Sequence, residues 1–251
     1  MDELERYKYN RLLVPMPEGM LVEWARECGL QRRSEVLEVA CGKGWASLVL
    51  AEHLGCTVTG MDPSEAFVEE ARRLALFRDQ EHLVNFIQAE GGALPFDEGF
   101  FDLALSLGPY HQAELREALA ELCRVVRPGG HLLLGDALRL RGELPEAVEN
   151  LWVEEAERDD LRRYEDYLYF LGGKGLRVVR SQVISEETWE DFYAPQARVV
   201  WEDRQRFPED EALQRMLDEW EEEIELFRDG GGRESVGYGV FLLRVEEGEG
   251  P

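Results

Sequence analysis

Val36-Leu37-Glu38-Val39-Ala40-Cys41-Gly42-Lys43-Gly44-Trp45-Ala46 is the stretch whose reading decides the architecture. The apolar run from Val36 to Ala40 has the length of a buried strand and is too short for a core helix. A turn carrying Gly42 and Gly44 follows, then a helical pattern from Trp45 to His53. Strand, glycine-bearing turn and helix form the unit with which open α/β sheets hold nucleotide-like ligands. Glycine there permits a tight turn and a close approach of backbone to ligand. About twenty residues on, a second apolar run from Cys56 to Met61 ends in Asp62, a carboxylate placed to grip the two hydroxyls of a ribose.

A dinucleotide fingerprint, G-x-G-x-x-G, needs a third glycine where this chain has Ser47. The stretch instead resembles the first motif of class I S-adenosylmethionine-dependent methyltransferases, E-x-G-x-G-x-G. Glu38, Gly42 and Gly44 match it. Ala40 stands at the first glycine, and Lys43 stands where a small or hydroxyl residue is usual. Lys43 is expected to point to solvent. Phe86–Phe96 resembles the family's third-strand segment, Phe101–Ser106 its fourth strand, and Glu121–Leu134, with Arg127-Pro128-Gly129-Gly130, its helix, turn and fifth strand. The branch resembled is the small-molecule one, near the quinone-biosynthesis enzymes. Trp189–Pro195 and Gly237–Phe241 resemble further bacterial and archaeal members and name no substrate.

The resemblance implies a doubly wound α/β fold. Its sheet is seven-stranded and mostly parallel, with a late antiparallel strand, and carries a helical lid. It implies S-adenosyl-L-methionine as the donor of a methyl group, moved to a small-molecule acceptor by in-line displacement. The protein then mostly positions and desolvates the reactants. Glu38, Ala40, Gly42 and Gly44 are expected around the methionine moiety, Asp62 and Pro63 at the ribose, Glu90 and Gly91 at the adenine. Ser106 and Leu107 line the far side of the cofactor.

Residues 1–251 are read as one methyltransferase domain, with a loose arm over 1–20 and a cofactor-binding core over 36–136. Helical or lid elements over 137–175 and 186–230 cover the acceptor site. The core is expected to hold five strand–helix units, followed by a long charged helix over 143–171. A strand over 176–184, an amphipathic helix over 210–228 and a final strand over 236–245 complete the pattern.

The acceptor side rests on residue types alone. Tyr110 and His111 follow the fourth strand. His111 could take a proton from a hydroxyl or amine, since its ordinary pKa lies near 6.5. Tyr7, Tyr9, Trp189 and Tyr193 are candidates for an aromatic face against the acceptor.

Composition narrows the classes. With 251 residues, 44% of them hydrophobic, the chain can bury a full core. A net charge of −25 disfavours a nucleic-acid partner, because phosphate neutralisation dominates such affinity. The acidic N-terminus has no signal-peptide pattern, and there is no apolar run long enough to span a membrane. The four cysteines form no C-x-x-C pair. They are read as reduced thiols of a cytoplasmic protein with no metal site. The oligomeric state is open. Two alternatives stand beside the enzyme: a nicotinamide-dependent oxidoreductase, and a non-catalytic protein that binds S-adenosylmethionine.

Overall fold

The computed structural model describes residues 14–108, 112–154, 161–172 and 175–246. Seven strands form one sheet in the order β3-β2-β1-β4-β5-β7-β6. They are β1 (Glu35–Val39), β2 (Thr57–Asp62), β3 (Val84–Gln88), β4 (Phe101–Ser106), β5 (Val126–Arg139), β6 (Leu176–Val183) and β7 (Val236–Val245). β1 pairs in parallel with β2 and β4, as do β2 with β3 and β4 with β5. β7 is antiparallel to both of its neighbours, β5 and β6. This is the doubly wound, mostly parallel sheet expected, with its late antiparallel strand.

Alternating strand residues feed two apolar layers. Val36, Val58, Leu105 and Leu133 face one side. It is covered by α1 (Glu18–Glu27), α2 (Trp45–Leu54), α3 (Glu65–Phe77), α7 (Glu186–Arg206) and α8 (Glu211–Arg228). Leu37, Ala104, Leu132 and Leu134 face the other, covered by α4 (Gln112–Val125) and α6 (Tyr164–Leu171). Each helix that follows a parallel strand starts at the carboxyl edge of the sheet. The loops that could carry a ligand therefore gather there.

Two expectations change. The β3–β4 connection holds no helix, so the core has one strand–helix alternation fewer than a strict repeat requires. Gly91, Gly92, Pro95 and Gly99 break any helical run. Instead, α4 grips the loop: Glu121 accepts from the Leu94 N–H (2.9 Å), and Arg124 donates to the carbonyls of Phe96 (2.8 Å) and Leu94 (2.9 Å). The long helix over 143–171 is not continuous. A short α5 (Glu146–Glu149) runs into a π-helical turn (Asn150–Glu154), and α6 begins at Tyr164. The Trp189–Pro195 segment lies inside α7, a 21-residue helix that accommodates Pro195 in its interior. The chain closes with α9 (Gly232–Ser235) leading directly into β7. Among the described residues, no helix is long and apolar enough to cross a membrane.

Candidate cofactor and acceptor site

The turn between β1 and α2 is left-handed at three residues: Ala40 (φ 55°), Gly42 (φ 51°) and Gly44 (φ 74°). Only glycine adopts this region without strain, so Ala40 carries a penalty that the first glycine of the motif avoids. Two buried carboxylates hold the turn from either end. Asp62, at the end of β2, accepts the Gly42 N–H at Oδ2 (2.8 Å) and the Ser64 N–H at Oδ1 (2.9 Å). Glu38, near the end of β1, accepts both the backbone N–H (2.8 Å) and the hydroxyl of Ser47 at Oε2. The Cys41 N–H donates to the Met61 carbonyl (2.9 Å), which stitches the turn to β2. The helix after Asp62 is capped by Ser64, whose hydroxyl accepts from Phe67 N–H, so Asp62 is left to the turn.

Burial shapes the titration of both acids. The Glu38 carboxyl is pushed up to about 7, chiefly by desolvation, with the Ser47 bonds opposing and the Asp62 charge adding. Desolvation also raises Asp62, against its bonds from Ser64 and Gly42 and with a push from the charge of Glu90. Glu90 itself is exposed. It follows β3 by two residues.

The glycines divide their work. A Cβ on Gly44 would lie 2.4 Å from Phe86 Cζ, and one on Gly60 would lie 2.6 Å from the same ring. These two glycines let Phe86 of β3 pack under the turn. A Cβ on Gly91 would touch Val39 at 3.4 Å, and one on Gly108 would touch Ala40 at 3.7 Å. The exits of β1, β3 and β4 therefore meet around Ala40. Pro63 joins this edge through its carbonyl, which accepts from the Gln88 side chain (3.0 Å). Lys43 does not point to solvent. It is only 6% exposed, and burial lowers its pKa while Glu70 of α3 opposes that shift.

On the acceptor side, Ser106 and Leu107 are buried at the end of β4. The Leu107 carbonyl accepts the Tyr238 hydroxyl at 2.6 Å. Tyr238 reaches it from β7 across Gly135 of β5, where an added Cβ would sit 2.1 Å from the hydroxyl oxygen. Trp189 and Tyr193 are 6% and 1% exposed. Trp189 stacks on Tyr193 (5.9 Å) and Phe227 (4.9 Å) and meets Tyr238 edge-on (6.5 Å). Tyr193 donates its hydroxyl to Glu223 of α8 (3.0 Å). The structure makes this pair an aromatic core behind the Tyr238–Leu107 contact. Tyr7, Tyr9, Tyr110 and His111 lie outside the described residues. Ser47, Ser64, Gly135 and Tyr238 complete the site and were not foreseen. Ser47 has a local signal, a hydroxyl in the first turn of the helix after the glycines, whereas Tyr238 has none.

No group of three or more His, Cys, Asp or Glu among the described residues is placed to hold a metal ion. All four cysteines are free thiols.

Comparison with known proteins agrees with this geometry. Residues 36–130 match the model of a methyltransferase domain family. A demethylmenaquinone methyltransferase of Thermus thermophilus is 39% identical over 131 residues, covering 50% of this chain and 57% of its own. A sarcosine/dimethylglycine N-methyltransferase of Halorhodospira halochloris is 31% identical over 116 residues, covering 46% and 41%. The chain spans about half the length of the curated relatives it matches. A crystal structure of a SAM-dependent methyltransferase from Geobacter sulfurreducens in complex with S-adenosyl-L-homocysteine superposes with a TM-score of 0.78. It is 20% identical and covers 96% of each chain, a likeness of fold. Matched segment, strand order and carboxylate-held turn converge: residues 36–130 match a methyltransferase domain, and the sheet has the α/β fold of the S-adenosylmethionine-dependent methyltransferases it superposes on.

Proposed function

We propose that the protein transfers a methyl group from S-adenosylmethionine to a small-molecule acceptor. The observation that carries this reading is the β1–α2 turn held by Asp62 and Glu38. Its donor set suits that cofactor: two buried carboxylates for a cationic ligand bearing a ribose diol, beside a backbone without side chains at Gly42 and Gly44. When bound, the cofactor supplies a methyl group on a sulfonium, already activated for in-line displacement.

The residues do the rest. Each Asp62 oxygen has a second lone pair, so it can accept ribose hydroxyls while still holding Gly42 and Ser64. Glu38 places negative charge beside the methionine end and fixes the first turn of α2. Glu90 and Gly91 border the adenine. Ser106 and Leu107 close the far side, with Leu107 held by Tyr238. Tyr110 and His111, directly after this edge, orient the acceptor and take its proton, and the 1–20 arm, with Tyr7 and Tyr9, and the segments 137–175 and 186–230 cover it. Trp189 and Tyr193 support that cover from behind. The acidic surface and the free cysteines favour a soluble cytoplasmic enzyme acting on small molecules rather than nucleic acid.

Calorimetry should register S-adenosylhomocysteine binding and none for NAD. A screen of acceptors that follows S-adenosylhomocysteine release then identifies the substrate. NAD binding without S-adenosylhomocysteine binding would reject the reading in favour of an oxidoreductase.

A further inference from the structure

On the α4/α6 side, the carboxyl edge of the sheet gathers a second set of charges that the cofactor does not use. β4 pairs with β5 only as far as Ser106 opposite Leu134. Asp136 therefore lies two residues, or about 7 Å, beyond the last paired position, beside the point where β4 leaves the sheet. It is 2% exposed. Its Oδ1 accepts from the Ala137 N–H (2.8 Å) and its Oδ2 from the Tyr167 hydroxyl. The segment before α6 joins the same edge, because Arg139, the last residue of β5, donates its N–H to the Arg162 carbonyl (2.9 Å).

Two guanidinium groups lie within 6 Å of one aromatic ring here, that of Phe170. Arg162 lies 4.9 Å from the Phe170 ring centre and 5.7 Å from that of Tyr167. Arg116, in the second turn of α4, lies 5.9 Å from the same Phe170 ring. Neither arginine is ion-paired to a carboxylate among the described residues, although the chain carries 53 acidic side chains. A guanidinium lying on an aromatic face keeps its N–H edges available for a planar or tetrahedral oxyanion. Tyr167 serves twice: its hydroxyl binds Asp136, and its ring carries Arg162. The buried Asp136 carboxylate is thereby engaged by a hydroxyl.

We propose that Arg116 and Arg162, carried on Phe170 beside the Asp136–Tyr167 pair, form a subsite for an oxyanion on the methyl acceptor, a carboxylate or a phosphate. This rests on the methyltransferase reading, since it takes the β4 exit as the acceptor side. In a chain of net charge −25, an anionic substrate gains a foothold only where positive charge is concentrated, and this pair provides it at the edge where transfer is expected.

The test uses the full chain saturated with S-adenosylhomocysteine and two probes, inorganic phosphate and acetate. Arginine Nε–H resonances are followed by NMR during each titration. Saturable shifts are expected for Arg116 and Arg162, with affinity at least tenfold weaker in the Arg116→Gln/Arg162→Gln double variant. Tighter phosphate binding assigns a phosphorylated acceptor, and tighter acetate binding assigns a carboxylate. Absence of saturation in the wild-type protein overturns the subsite, as do shifts that persist undiminished in the variant. Should the double variant fail to fold, the assigned wild-type resonances decide alone. S-adenosylhomocysteine affinity, measured separately by calorimetry, reports on the donor site: its absence strikes the methyltransferase reading, and the same anion titration on the ligand-free chain still reads the subsite.

Discussion

The edges proposed here for the donor and for the acceptor are built from contacts of different reach. Around the β1–α2 turn, Glu38 holds Ser47 nine residues on, and Asp62 holds Gly42 twenty residues back. Around the β4 exit, Tyr238 holds Leu107 across 131 positions of sequence. Asp136 is held by Tyr167 across 31. The donor edge is a local device that one motif specifies. The acceptor edge exists only once β5, β7 and the helices after Asp136 are packed. A family can therefore keep its cofactor and change its acceptor, because the two edges draw on separate parts of the chain.

The strongest way to break this contrast is Gly44→Ala. It forces a Cβ into a left-handed residue and 2.4 Å from Phe86, so urea unfolding should register a loss of roughly 2–5 kcal/mol. A change below about 1 kcal/mol would show that the turn relaxes freely and that its local geometry is not what the motif specifies.

Glu38 gives the next effect, and it has a sign. Its carboxyl is raised from the ordinary 4.5 to about 7 in the folded chain. Between those values the folded state binds the proton that the unfolded state has lost. The stabilising contribution is therefore complete below pH 4.5 and lost as pH rises through about 7, by up to about 3 kcal/mol. Thermal melts of the ligand-free protein should show wild type losing stability relative to Glu38→Gln between about pH 5 and 7.5. Parallel pH profiles would mean that the Ser47 bonds already keep Glu38 ionised.

Asp62→Ala should weaken S-adenosylhomocysteine binding about tenfold or more, because charge-assisted bonds to the ribose and to the Gly42 N–H go together. Calorimetry with unchanged affinity would place the ribose elsewhere.

Tyr238→Phe sharpens the comparison from the other edge. It strands the buried Leu107 carbonyl, at a loss of about 1–2 kcal/mol. Its signature should be a fall in turnover that exceeds any fall in S-adenosylhomocysteine affinity. A matching fall in cofactor affinity would show that the two edges are not separable.

Ala40→Gly should give the smallest effect, a gain of about 0.5 kcal/mol, since relief of the left-handed strain is partly offset by glycine's greater freedom in the unfolded chain. Destabilisation in the same melts would mean that the Ala40 methyl, against which Gly108 packs, contributes more than the strain removes.

The sequence by itself determined the sheet's parallel half, the turn after β1 and the carboxylate after β2. Their signals are short apolar runs, glycine at positive φ and fixed spacing, all confined to neighbouring residues. The tertiary structure decided the rest. It turned Lys43 inward beside Glu70, left residues 161–163 of the expected 143–171 helix outside any helix, and buried Trp189 and Tyr193 behind Tyr238. It also brought Arg116 and Arg162 to one ring. Those outcomes depend on which distant surfaces meet, and an amphipathic pattern states only that a face is buried, not against what.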